Sequence, residues 1–297
     1  MVGRSGSMET NLQKHTIPIH RNNHNTINHE IQNNDKQTQQ YQHHQVHNQL
    51  PLSEHYNVNI RFDPVIPEAA NPTELVLSIT DQKLGNSIKE FELVHDKLMH
   101  LIIVGEDLSY FAHIHPTIRH GNDDENIAFA ISHIFPESGK YKLWVDFKPK
   151  GGNQILAAFK FNVTGQPVHR PQELVYEEKY TKGSLDGRYQ ISLKVPDNII
   201  ARNDVDIAFS ISDSSGRPIT NLEPLMAAGG HSVIISNDLR EFLHVHPTME
   251  IGTNWRGGPD ILFRTNFPKP GLYKAWGQFQ HQGRVITAAG YVLRVTA

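Results

Sequence analysis

From about residue 55 onward the chain alternates apolar and polar positions in short runs broken by glycine, proline and asparagine. Leu77-Ser78-Ile79-Thr80-Asp81 and Phe209-Ser210-Ile211-Ser212-Asp213 are two such runs. A period of two sends successive side chains to opposite faces, so the pattern predicts β-strands throughout. Residues 1–52 carry no such pattern. Asn, Gln and His dominate there, as in Gln42-His43-His44-Gln45. So few apolar side chains cannot offset the entropy of ordering, and the segment is predicted to be a disordered polar tail whose seven histidines could bind metal loosely.

The strand text is duplicated. HLIIVGEDLSYFAHIHPT, from His100 to Thr117, overlays HSVIISNDLREFLHVHPT, from His231 to Thr248, without a gap at an offset of 131. Phe135-Pro136 through Trp144 overlays Phe267-Pro268 through Trp276, and each copy closes on strand text, Ile155 to Val163 and Val285 to Val295. The expected organisation is a tail (1–52), a first β-sandwich (55–165) and a second (172–297), with Gly165 to Pro171 as a proline-containing linker. Roughly seven short strands per unit suit an all-β fold, two tandem antiparallel sandwiches of immunoglobulin-like or cupredoxin-like kind. Gly139-x-Tyr141 and Gly271-x-Tyr273 are placed as tyrosine corners, where the hydroxyl ties back to nearby backbone.

Each copy carries the same H-x12-H-x-H-P pattern: His100, His113 and His115 in the first, His231, His244 and His246 in the second. On a strand, two histidines two apart project from one face. A hairpin folded about Gly105-Glu106-Asp107-Leu108 would put His100 nearly opposite His113, and Ser236 to Leu239 does the same in the second copy. Three imidazoles on a rigid sheet make a site for copper or zinc with one position open. A shared metal requires their nitrogens to come within roughly 4 Å of one another, given Zn–N bonds near 2.0–2.1 Å. The alternative is that each histidine merely fills hydrogen bonds, or that His-Pro ends the strand.

Outside the triads, aligning the Gly85 and Gly216 turns sets Met226 against His95, each five residues before the first triad histidine. These are the candidate fourth ligands, methionine favouring Cu(I). Met99 should face the core, Asp107 and Asp238 should bond local turn backbone, and Trp144 and Trp276 should pack. His120, His133, His169 and His281 have no counterpart in the other copy and are read as incidental.

Composition narrows the chemistry. With no cysteine, disulfides, thiolate zinc sites, iron–sulfur clusters and cysteine nucleophiles are excluded. A net charge of −3 offers no basic footprint for nucleic acid. No apolar run approaches a membrane span, and the first thirty residues show no secretory signal.

The second copy also reads Gly216-Arg217-Pro218-Ile219-Thr220, Gly230-His231, Phe242-Leu243-His244-Val245-His246-Pro247 and Gly283-Arg284-Val285-Ile286-Thr287-Ala288-Ala289. It resembles a set of bacterial exported β-sandwich domains, YtkA-like in style, and Lys97-Leu98-Met99-His100-Leu101 with His113-Ile114-His115-Pro116 carries the same resemblance. That resemblance implies an extracytoplasmic, copper-associated role, although the export signal it leads one to expect is not visible. The expected function is non-enzymatic copper buffering or delivery, with zinc the second choice of metal and a metal-handling protein as partner. One alternative is a hydrolytic or hydrating enzyme built on a three-histidine zinc site, for which no carboxylate stands at a matching position in both copies apart from the turn aspartates. The other is a protein-interaction module with structural histidines.

Overall fold

The structure, a computed structural model, describes residues 55–120, 127–166 and 173–297. The polar tail and most of the linker lie outside them. The described residues are all β. The first sandwich contains β1 (Tyr56–Asp63), β2 (Pro72–Asp81), β3 (Phe91–Glu92), β4 (Met99–Gly105), β5 (Phe111–Ile114), β6 (Thr117–His120), β7 (Ile127–Ile134), β8 (Gly139–Pro149) and β9 (Ile155–Val163). The second contains β10 (Thr181–Gly183), β11 (Tyr189–Lys194), β12 (Ile199–Ile200), β13 (Asp204–Asp213), β14 (His231–Ser236), β15 (Phe242–Val245), β16 (Asp260–Asn266), β17 (Gly271–His281), β18 (Arg284–Thr287) and β19 (Tyr291–Thr296). Short edge strands such as β3, β10 and β12 raise the number above the seven per unit expected. Pairing is antiparallel apart from β12 against β19 and an isolated bridge.

Each sandwich has an outer sheet, β1-β2-β7-β6 or β10-β11-β13-β16, and an inner sheet. The inner sheets are β3-β8-β4-β5 with β9 on β8, and β12-β19-β17-β14-β15 with β18 on β17. Where β9 runs unbroken along β8, its counterpart in the second copy is split into β18 and β19 around Gly290. A Cβ at Gly290 would stand 2.7 Å from the Trp276 indole nitrogen, so the strand can pass that point only without a side chain. Both tyrosine corners form: Tyr141 Oη donates to the Glu137 carbonyl and Tyr273 Oη to that of Lys269, each at 2.8 Å.

The central inner strands β4 and β14 are buried on both faces. In β4 every residue is buried: Met99, Leu101 and Ile103 join the first core, whereas Ile102 and Val104 join a cluster with Val233, Ile235 and Trp276 of the second sandwich. The two inner sheets therefore pack on each other within one compact unit. The contacts come in matched pairs, as in a two-fold dimer. Trp144 stacks on Phe242 with ring centroids 5.1 Å apart, and Phe111 on Trp276 at 4.8 Å. Lys142 Nζ donates to the Leu239 carbonyl and Lys274 Nζ to that of Leu108. The tryptophans do pack, but between sandwiches rather than inside one. Trp276→Ala should cost about 3–5 kcal/mol, seen as a lower denaturation midpoint, since a buried Trp is lost without refilling. A cost under about 1 kcal/mol would show that the sandwiches do not stack this way.

Candidate metal centre

The hairpin β4–β5 is built as expected in kind but with a different register. Ile102 pairs with His113 and Leu101 with Ile114, so His100 lines up with His115, not with His113. The ladder closes at Val104↔Phe111, leaving a longer turn than Gly105 to Leu108. In that turn Leu108 adopts φ 59° and buries its side chain between the sandwiches, while Asp107 Oδ1 accepts from the Ser109 amide at 3.0 Å. The second hairpin repeats this, with Val233↔His244, Leu239 at φ 59° and Asp238 Oδ1 accepting from the Arg240 amide. The register moves by two residues, an even step, so every histidine keeps the face that the period-two argument assigned.

All six triad histidines meet in two groups, in each of which one nitrogen per ring lies within 4.8 Å of the others, and each group could hold a metal ion. In the first, His100 Nδ1 is 3.0 Å from His113 Nε2 and 3.1 Å from His115 Nε2. Nitrogens sharing a tetrahedral ion at 2.0–2.1 Å would be about 3.3 Å apart. The outer nitrogens are already engaged. His100 Nε2 lies 2.7 Å from the Val94 carbonyl and His113 Nδ1 2.8 Å from Gln278 Oε1, a residue of the opposite sandwich. Both partners are acceptors, so both outer nitrogens carry the proton, and in the neutral rings the lone pairs of His100 Nδ1 and His113 Nε2 face each other. Facing lone pairs repel; a cation between them turns the same geometry into coordination. Metal-bound histidines characteristically have the far N–H held by a carbonyl or carboxylate in this way.

The second group follows the same plan. His231 Nε2 donates to the Leu225 carbonyl at 3.0 Å, the counterpart of the Val94 bond. Its Nδ1 and the Nε2 of His244 are buried without a hydrogen-bond partner among the described residues. His244 Nδ1 is 3.5 Å from Asp146 Oδ2 of the first sandwich, with both side chains 4% exposed. That spacing is an electrostatic contact rather than a formed hydrogen bond.

His95 and Met226 do occupy matched positions, with φ of 50° and 48° in equivalent tight turns. His95, however, crosses to the other sandwich: its ring stacks on His246 with centroids 3.7 Å apart and lies 6.0 Å from His100 of its own triad. It stands outside both groups of mutually close nitrogens, which corrects its expected place as a fourth ligand of the first site. The two triads are neighbours, with the ring centroids of His113 and His244 5.4 Å apart. Met99 is fully buried in the first core. His133 bonds the Tyr110 hydroxyl, and His281 bonds Tyr189 and Asn221. His169 lies outside the described residues. The sequence did not point to Asp146 or Gln278; their matched positions on β8 and β17 are the one signal that could have found them.

Burial pushes His113, His231 and His244 well below the ordinary imidazole range, and neighbouring imidazoles push them further. Burial also lowers His100, and lowers His115 to about 3. The rings are thus held neutral, the form that binds metal. Because their folded values lie below the unfolded value near 6.5, the unfolded chain takes up protons first as pH falls. The metal-free protein should therefore keep its full stability above about pH 6.5. Below that it should lose about 1.4 kcal/mol per pH unit for each histidine that stays neutral in the folded chain. Denaturation midpoints measured from about pH 8 to 4 should fall steeply below about 6.5; a flat profile would contradict the burial of these rings.

Among the described residues no helix is long and apolar enough to cross a membrane. No curated protein matches the chain. Among solved structures it is similar to FdeC, an adhesin of Escherichia coli, at 15% identity over 84% of this chain and 66% of that one, with a TM-score of 0.25. It is likewise similar to dimeric latent PorU from Porphyromonas gingivalis, at 12% identity, 82% and 20% coverage and a TM-score of 0.27. Red sea bream transglutaminase gives 8% identity, 82% and 32% coverage and a TM-score of 0.24. This chain spans 66%, 20% and 32% of those three chains. Residues 52–165 and 183–296 each match one family, and the chain belongs to it as two tandem copies: Domain of unknown function (DUF8832).

Proposed function

We propose that this protein is a non-enzymatic metal-binding protein that buffers or delivers copper, with zinc the second choice, through one three-histidine site in each sandwich. The observation that carries the proposal is the pair of lone-pair nitrogens, His100 Nδ1 and His113 Nε2, held 3.0 Å apart by outer hydrogen bonds. An all-imidazole donor set suits Cu(II) and Zn(II). Burial supports storage over catalysis. His100 and His231 are 0% and 1% exposed beneath the opposite sheet, which leaves little approach for a substrate. The YtkA-like resemblance supports an extracytoplasmic setting, with a metal-handling protein as the exchange partner.

The test is competitive titration of the purified full chain, free of any histidine tag, with Cu(I), Cu(II) and Zn(II), alongside its metal content as isolated. Two tight sites per chain and copper in the isolated protein are expected. Affinities no better than those of scattered surface histidines would overturn the metal reading. Zinc-dependent ester hydrolysis or CO2 hydration would overturn the non-enzymatic one.

A further inference from the structure

Asp146 and Gln278 occupy equivalent positions on β8 and β17. Each pairs across the ladder with the first histidine of its own triad, Asp146 with His100 and Gln278 with His231. Yet each side chain faces the middle histidine of the other triad: Gln278 Oε1 is 2.8 Å from His113 Nδ1, and Asp146 Oδ2 is 3.5 Å from His244 Nδ1. Neither is loosely held. Gln154 Nε2 donates to Asp146 Oδ1 at 2.7 Å, and Gln278 Nε2 donates to Thr287 Oγ1 at 3.1 Å. The two sites thus share a plan in which the orienting group comes from the opposite sandwich, and they differ in its charge.

We infer that the sites are unlike, and that the Asp146 carboxylate makes the His231–His244–His246 triad the tighter one for a divalent cation. The inference rests on the metal-binding reading above. A dication among neutral imidazoles in a buried site carries its whole charge into a low-dielectric setting, where a carboxylate a few ångströms away counts for far more than in water. A carboxylate drawn onto the far nitrogen when the metal binds would also make the ligand imidazole more basic, and an amide would do so less. Loss of such an orienting group commonly costs about 10–100-fold in metal affinity. The same arrangement makes Asp146 and Gln278 positioning residues in trans, so that a site is complete only while the two sandwiches are docked.

The experiment is competition of the full chain with a chromophoric chelator for Zn(II). One arm uses His113→Ala with His115→Ala, leaving only the second triad, and the other uses His244→Ala with His246→Ala, leaving only the first. The second triad should bind at least about tenfold more tightly. Asp146→Asn should weaken it by about 10–100-fold, and should weaken the first triad, whose His100 it also neighbours, by less. Gln278→Glu should strengthen the first triad, and this gain tests the inference independently should Asp146→Asn fail to fold. Equal affinities, an unaltered second triad in Asp146→Asn, or no gain in Gln278→Glu would overturn the inference while leaving the metal sites standing. Absence of both zinc and copper binding by the unaltered chain would overturn both.

Discussion

Alanine at both His244 and His246 is expected to remove one of the two tight metal ions and to weaken binding at the second triad by at least about 1,000-fold. Structural zinc sites release about 10–16 kcal/mol from three or four ligands, so losing two of three takes away several kcal/mol, and each 1.4 kcal/mol is about tenfold. The loss should be local. His100, His113 and His115 keep their own contacts at 3.0 and 3.1 Å, so the first triad should still fill. Native mass spectrometry of the zinc-loaded variant should therefore show one ion per chain. Two retained ions would mean that the triads are not the ligands, and none would mean that they form a single cooperative cluster. A second variant, Gln at both positions, keeps polar volume in the buried site and separates loss of ligands from loss of fold.

Metal loading should also stabilise the protein strongly. A ligand that binds only the folded state adds about 4.1 kcal/mol when its free concentration is a thousandfold above Kd. Two filled sites would add about 8 kcal/mol, which in a folded portion of this size moves Tm by roughly 15–30 °C. The triads are well placed for this, because β4 and β14, which supply His100 and His231, lie between both cores. A chelator should reverse the shift, and the His244, His246 variant should keep about half of it. If saturating zinc or copper leaves Tm unmoved, the ion does not bind the folded state preferentially and the proposed sites are wrong.

The strands and the duplication were legible because period-two alternation and a constant offset are properties of sequence alone. The triads were legible for the same reason. His113 and His115 must share a face whatever the register, and the two-residue difference between expected and observed pairing moved neither off it. What could not be read is everything made between the sandwiches. Leu101 to Val104 is a continuous apolar run in which alternation disappears because both faces are covered, and such a run does not say by what. Asp146 and Gln278 look like ordinary polar residues on a strand until the opposing sheet places them against His244 and His113. His95 was made a candidate ligand of its own triad by aligning the Gly85 and Gly216 turns, but its tight turn carries it across to His246. The triad follows from one hairpin, whereas its surroundings follow from docking, which local pattern does not encode.

The most direct measurement is anomalous diffraction at the metal absorption edge from crystals of the full chain loaded with zinc or copper. Two peaks are predicted, one about 2.0–2.1 Å from nitrogens of His100, His113 and His115 and the other at the same distance from those of His231, His244 and His246. Peaks confined to exposed histidines, or no peak between the two inner sheets, would contradict the account.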